Sequence, residues 1–210
     1  MDIIKALNWR YATKKFDAKR KLSVKQIQTL EEILRLTPTS LGLQWMKFFV
    51  IKDQKIKDKL FAVSKRQWQV ENCSHLIVFS IPIKTDNKMI DQFLALIQKV
   101  RWTGEVALQD RKERIKALLG RYKEANQIDS RLAQQVNIAL WNLLTACAVL
   151  KIDTCPLGAI QPDMYDKILW IKKQWFKTVL ACAVGYRAKD DGYAKVKKVR
   201  RPIEKIVEEI

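Results

Sequence analysis

The chain has 210 residues, 40 Lys+Arg against 22 Asp+Glu and one His, for a formal net charge of +18. With 48% of it apolar, a disordered chain is excluded, and a single domain over 1–210 can bury a core without disulfide staples. Six glycines never closer than seven residues exclude a Gly-rich phosphate loop, and a lone imidazole excludes an HExxH zinc site.

Asp2 is placed to cap a short helix presenting Ile3, Ile4 and Leu7, and a basic irregular stretch follows from Arg10 to Lys21. Ser23 with Gln26 is a capping-box pattern, after which Ile27, Leu30, Ile33 and Leu34 share one helical face. Thr37-Pro38-Thr39-Ser40 breaks that helix. Residues 48–51 predict a short buried strand, followed by a helix capped by Asp53. Residues 75–81 predict a second strand, and 86–125 one or two amphipathic helices. Residues 132–150 form the most apolar segment, yet Gln134, Gln135, Asn137 and Asn142 interrupt it, which favours a core helix over a membrane span. Residues 153–156 predict a brief strand ending in a turn, Pro162 suits the first position of a helix to 169, and 178–184 predict the last strand. The expected class is α+β, helices packed around a small sheet.

The four cysteines, at 73, 147, 155 and 182, form no CxxC pair and read as reduced thiols. The N-terminus lacks the apolar run of a signal peptide, so the expectation is a soluble cytoplasmic protein without a membrane partner. His75 opens an apolar strand and reads as a core histidine with a satisfied ring nitrogen, whereas Cys155, beside Pro156, reads as partly exposed.

Positive charge gathers at the two ends of the chain. Residues 1–25 carry eight basic and two acidic side chains, and 187–205 carry eight and three, so these segments hold +11 of the +18. Two such segments can converge on one phosphate, which Arg forks and Lys point charges bind without glycines. The alternatives are a solvated basic face and a nucleic-acid surface. No RNP pattern, zinc finger or regular basic helix supports specific nucleic-acid recognition.

Several segments together resemble the FMN-dependent nitroreductase family. They are Arg10-Tyr11-Ala12-Thr13-Lys14 with Phe16-Asp17, Thr37-Pro38-Thr39-Ser40 through Leu43-Gln44 to Phe48-Phe49-Val50, and Cys73-Ser74-His75 entering a strand. Then come Gln135 to Asn142 leading to Asp153-Thr154-Cys155-Pro156, Ala183-Val184-Gly185-Tyr186-Arg187, and Lys198-Val199-Arg200-Arg201-Pro202. They follow the family's order and nearly its spacing, with 84–130 the weakest stretch.

The resemblance implies a nitroreductase-like α+β fold with a small mixed central sheet and an intertwined homodimer holding FMN at its interface. It implies that Arg10, Lys14, Lys198 and Arg200 meet the FMN phosphate and ribityl chain, beside Tyr11 and Ala12. It places the backbone of Leu157, Gly158 and Ala159, next to Pro156, against the flavin ring, with Pro38, Thr39 and Ser40 reaching it from the second copy. Arg66 matches the place of an Asn at the flavin's pyrimidine edge and Gln69 that of a ribityl-contacting Lys. Trp45 and Trp141 also depart from the pattern, the latter threatening overpacking in the central helix. The implied activity is an oxidoreductase passing hydride from NAD(P)H through the flavin to a small-molecule acceptor such as a nitroaromatic or quinone. The rival expectations are a family-like dimer with weak or no flavin binding and a basic nucleic-acid-binding protein.

Overall fold

Four segments rich in β-branched and aromatic residues pair into one sheet in the computed structural model of the chain, which describes residues 2–210. They are β1 (Lys47–Ile51), β2 (His75–Pro82), β3 (Asp153–Leu157) and β4 (Phe176–Gly185), in the order β1-β2-β4-β3. Every pairing is antiparallel, so the sheet is not the mixed one expected. Among the described residues, parallel pairing is confined to the isolated bridge Ala12–Thr154. The connections explain the difference. α3 (Gln54–Ala62) and α4 (Trp68–Asn72) join β1 to β2 as a bent pair, and the seven-residue α8 (Pro162–Ile168) joins β3 to β4. Neither connection runs the length of the sheet and back, which a parallel restart requires.

The local signals act as the sequence predicts. Asp2 caps α1 (Ile3–Trp9), Asp53 caps α3, and Ser23 and Gln26 close a reciprocal capping box on α2 (Val24–Arg35). The amphipathic stretch divides into α5 (Asn87–Arg101) and α6 (Glu105–Glu124), because Trp102 takes a left-handed conformation with φ of 55° just before Gly104. The apolar helix α7 (Ile128–Val149) is long and apolar enough to cross a membrane by length and composition. It instead packs Val136, Ala139, Leu143 and Cys147 into a core with α2 and the sheet.

Alternation along β2 feeds two layers. Ile77, Phe79 and Ile81 face α2 and α7, whereas Leu76 and Val78 face α3, α4 and α8. Both faces are covered, which is why the strand reads as one continuous apolar run. β1 lies at the sheet's edge, and Phe48, Phe49 and Val50 are half-buried rather than buried. A third cluster joins α5 and α6 through Ile90, Leu94, Ile97 and Ile115, and Trp45 packs there. Trp141 is 58% exposed within the chain, so the expected crowding does not arise. Cys155 is buried, not partly exposed, since it packs beneath β4 among Leu157 and Ala183.

Candidate functional site

α1 stops at Trp9 because Arg10 is extended, with φ of −73° and ψ of 145°. The chain then runs beside β3, where Ala12 bridges Thr154 and the Thr13 N–H donates to the Thr154 carbonyl at 3.1 Å. Asp153, buried at the start of β3, accepts from the Arg187 N–H at 2.9 Å and from Arg187 Nε at 2.6 Å. The Arg187 guanidinium stacks over the rings of Trp9 at 4.2 Å and Tyr11 at 4.6 Å, locking the end of β4 onto the N-terminal segment. Gly185 is needed at that junction: a Cβ there would sit 2.9 Å from the Ser74 backbone nitrogen.

The C-terminal segment is held by one buried carboxylate. Asp191 accepts from the Tyr11 hydroxyl at 2.9 Å, the Lys14 N–H at 2.9 Å, the Lys15 N–H at 3.1 Å and the Tyr193 N–H at 3.2 Å. Burial pushes the Asp191 carboxyl up, but the bonds from Lys15, Tyr11 and Lys14 outweigh it and leave it below its usual range. Burial and the same hydrogen bond raise the Tyr11 phenol. Further on, Lys198 Nζ donates to the carbonyls of Leu7, at 2.7 Å, and Arg10, closing the carbonyl end of α1 with a cation.

These ties shape a cleft of about 470 Å³ whose lining includes Arg10, Tyr11, Ala12, Lys14, Lys198 and Arg200. Lys197 lines it too, and among the described residues none of its five cationic groups makes an ion pair. Burial and the Arg200 charge lower the Arg10 pKa, and burial with Arg10 and Arg200 lowers that of Lys198. Arg10 Nε is buried without an acceptor. A buried donor of that kind is costly, and an anion in the cleft would satisfy it while relieving the repulsion.

The remaining expected residues divide into two groups. Pro156 and Leu157 close β3, and Gly158 and Ala159 follow it exposed, beside the strand that carries the 10–14 segment. The loop before α4 reaches the same place, since Gln67 Nε2 donates to the Ala159 carbonyl at 3.0 Å. Arg66 stands next to it, exposed and left-handed with φ of 51°, and Gln69 is half-buried with its carbonyl capping Cys73 at 3.2 Å. Pro38, Thr39 and Ser40 lie elsewhere. Thr39 and Ser40 line a different cleft against α6 and α7, where the Ser40 N–H donates to Gln135 Oε1 at 2.7 Å. Within one chain the two groups are not brought together. Sequence reasoning missed Asp191 as the organiser of the cleft; the turn signal Asp190-Asp191-Gly192 is the only local trace of it.

Residues 7–186 match the model of the nitroreductase family. The chain belongs to the nitroreductase family. Nitroreductases of this family are FMN-dependent oxidoreductases. A Staphylococcus saprophyticus protein named "Putative NAD(P)H nitroreductase" is 32% identical, over 98% of this chain and 95% of its own length. The structure titled a nitroreductase-like protein from Streptococcus mutans superposes with a TM-score of 0.83 at 18% identity, covering 99% of this chain and 97% of the other. A structure from Exiguobacterium sibiricum, described as "a putative nitroreductase in complex with FMN", gives a TM-score of 0.79 at 23% identity over 100% of this chain and 98% of the other. At these identities the structural likenesses establish the nitroreductase fold, which is the one described above.

Proposed function

We propose that this nitroreductase acts as a single-domain homodimer that reduces nitroaromatics, quinones or related acceptors with NAD(P)H in two half-reactions at one site. The reading draws on the NAD(P)H nitroreductase name of the S. saprophyticus relative and the FMN of the E. sibiricum structure. The observation that carries it is the unpaired basic cleft with the orphaned Arg10 Nε–H. Arg10, Lys198 and Arg200 take the phosphate, and Lys14 with Tyr11 and Ala12 borders the ribityl chain. Gly158 and Ala159 offer exposed backbone to the ring, with Gln67 steadying their loop. Such donors favour the charge that gathers on a flavin as it is reduced, and FMN when bound supplies the hydride chemistry itself. Pro38, Thr39 and Ser40 serve the flavin of a second copy.

The test is a titration of the purified protein with FMN, followed by flavin absorbance. Arg200→Ala removes charge-assisted bonds worth about 1.5–3 kcal/mol, an expected loss of roughly ten- to a hundredfold in affinity. A variant that holds FMN as tightly as the parent removes Arg200 from the site. A parent that binds no FMN at micromolar concentration removes the function.

A further inference from the structure

The α5–α6 hairpin encloses a second basic cleft, of about 390 Å³, which none of the residues assigned above enters. Ala107, Asp110, Arg111, Arg114 and Ile115 are spaced to share one face of α6, and that face lines the cleft. Ile97 and Arg101 from α5 also line it, and Ile97 and Ile115 are core residues that make its floor apolar. Three guanidinium groups thus meet a single carboxylate, Asp110, leaving a local surplus of positive charge.

The neighbouring lysines of α6 find partners: Lys112 pairs with Asp91 at 2.6 Å and Lys116 with Glu113 at 3.1 Å. Among the described residues, Arg101, Arg111 and Arg114 make no such pair. Arg111 is nonetheless held in place, donating to the Leu41 carbonyl at 2.8 Å with its guanidinium 5.6 Å from the Phe93 ring centre. Its Nε is buried and has no acceptor. A fixed cation with an unmet buried N–H thus shares the cleft with two more cations and an apolar floor.

We propose that this cleft binds a small amphipathic anion, a carboxylate or phosphate monoester on an apolar body. The headgroup accepts from Arg111 Nε and is flanked by Arg101 and Arg114, and the body lies against Ile97 and Ile115. The size falls within the range of about 300–1,000 Å³ typical of small-molecule sites. An inorganic anion would leave the apolar floor uncovered, and a polynucleotide would meet Asp110. The proposal stands independently of the flavin reading, because no residue is shared between the two clefts.

Calorimetric titration of the full chain with octanoate, below its micelle concentration and alongside octan-1-ol, tests it. Octanoate is expected to bind at least about tenfold more tightly than the alcohol, with the advantage shrinking as salt is added. Arg111→Gln and Arg114→Gln are each expected to weaken octanoate about ten- to a hundredfold and leave octanol unchanged. Among the described residues Arg114 makes no ion pair, so its variant answers the question even where loss of the Arg111–Leu41 bond disturbs folding. Octanoate binding no tighter than octanol overturns the proposal. So does binding that survives Arg114→Gln but falls with Arg200→Ala, which places the anion in the first cleft. Sedimentation on phosphatidylglycerol vesicles that Arg114→Gln abolishes, without octanoate binding, marks a membrane contact instead and likewise overturns it.

Discussion

His75 is half-buried at the start of β2, and its ring is read by its neighbours. Ser74 Oγ accepts from the Leu22 N–H at 2.7 Å and meets His75 Nδ1 at 2.9 Å, a contact in which either atom can donate. Burial, then the charges of Lys57, Lys21 and Lys52, push the imidazole down to about 4. The unfolded chain takes up this proton near pH 6.5 and the folded chain resists until about 4, so stability falls as pH drops through that window. The loss should amount to about 1–3 kcal/mol after allowance for solvent screening. Urea melts of the parent and His75→Gln between pH 7 and 4.5 measure it. The parent should lose more on acidification; parallel slopes would remove His75 as the cause. The neighbouring Lys57 shows the same economy of buried charge: its ammonium donates to the carbonyls of Cys73 at 2.7 Å and Glu71 at 3.1 Å instead of pairing with a carboxylate.

The segment after β4 is held to the 10–15 segment mainly through Asp191, whose four donors span both ends of the sequence. Asp191→Ala leaves three backbone N–H groups and a phenol without their acceptor, at a cost of about 2–4 kcal/mol. The damage should be local, because α2, α7 and the sheet make their core without this segment. Hydrogen exchange is expected to quicken in 190–200 and 11–15 while the protection of β2 and β4 stays. FMN affinity should fall along with it, since Lys198 and Arg200 ride on the released segment. Equal quickening of exchange across the sheet would show instead that Asp191 supports the fold as a whole.

Two features of the whole chain bear on the proposed homodimer. α7 exposes Ile138 and Trp141, and the tail exposes Ile203, Ile206 and Val207, each of these at least 41% accessible. The tail's apolar residues have helical spacing, yet only Ile203–Lys205 turns, as a 3-10 helix, and every residue of the stripe is exposed. The loop carrying Pro38, Thr39 and Ser40 also sits away from the basic cleft that the same residues are proposed to serve. The proposed homodimer would cover the apolar surface and complete the site from two chains. Light scattering should give the dimer mass at micromolar concentration, and removal of residues 203–210 should shift it toward the monomer. A stable folded monomer of the full chain refutes an obligate dimer.

Short-range chemistry makes much of this protein legible from its sequence alone. The capping box at Ser23–Gln26, the Asp53 cap and Pro162 at the start of α8 depend on neighbours within four residues, so the local order of side chains decides them. The family's motifs are legible for a related reason: each is a short run, and their order survives in the chain. The charge at the two termini likewise points to the segments that form the cleft. Contacts between distant parts of the chain are not legible in this way. Tyr11 meets Asp191 across 180 positions, and the antiparallel sense of the sheet depends on where α3, α4 and α8 turn back. The exposure of Trp141, the burial of Cys155 and the meeting of Arg101 with Arg111 and Arg114 also follow from how helices and strands pack. Composition counts a charge or an apolar side chain, but only packing decides whether that group finds a partner, a core or a vacant cleft.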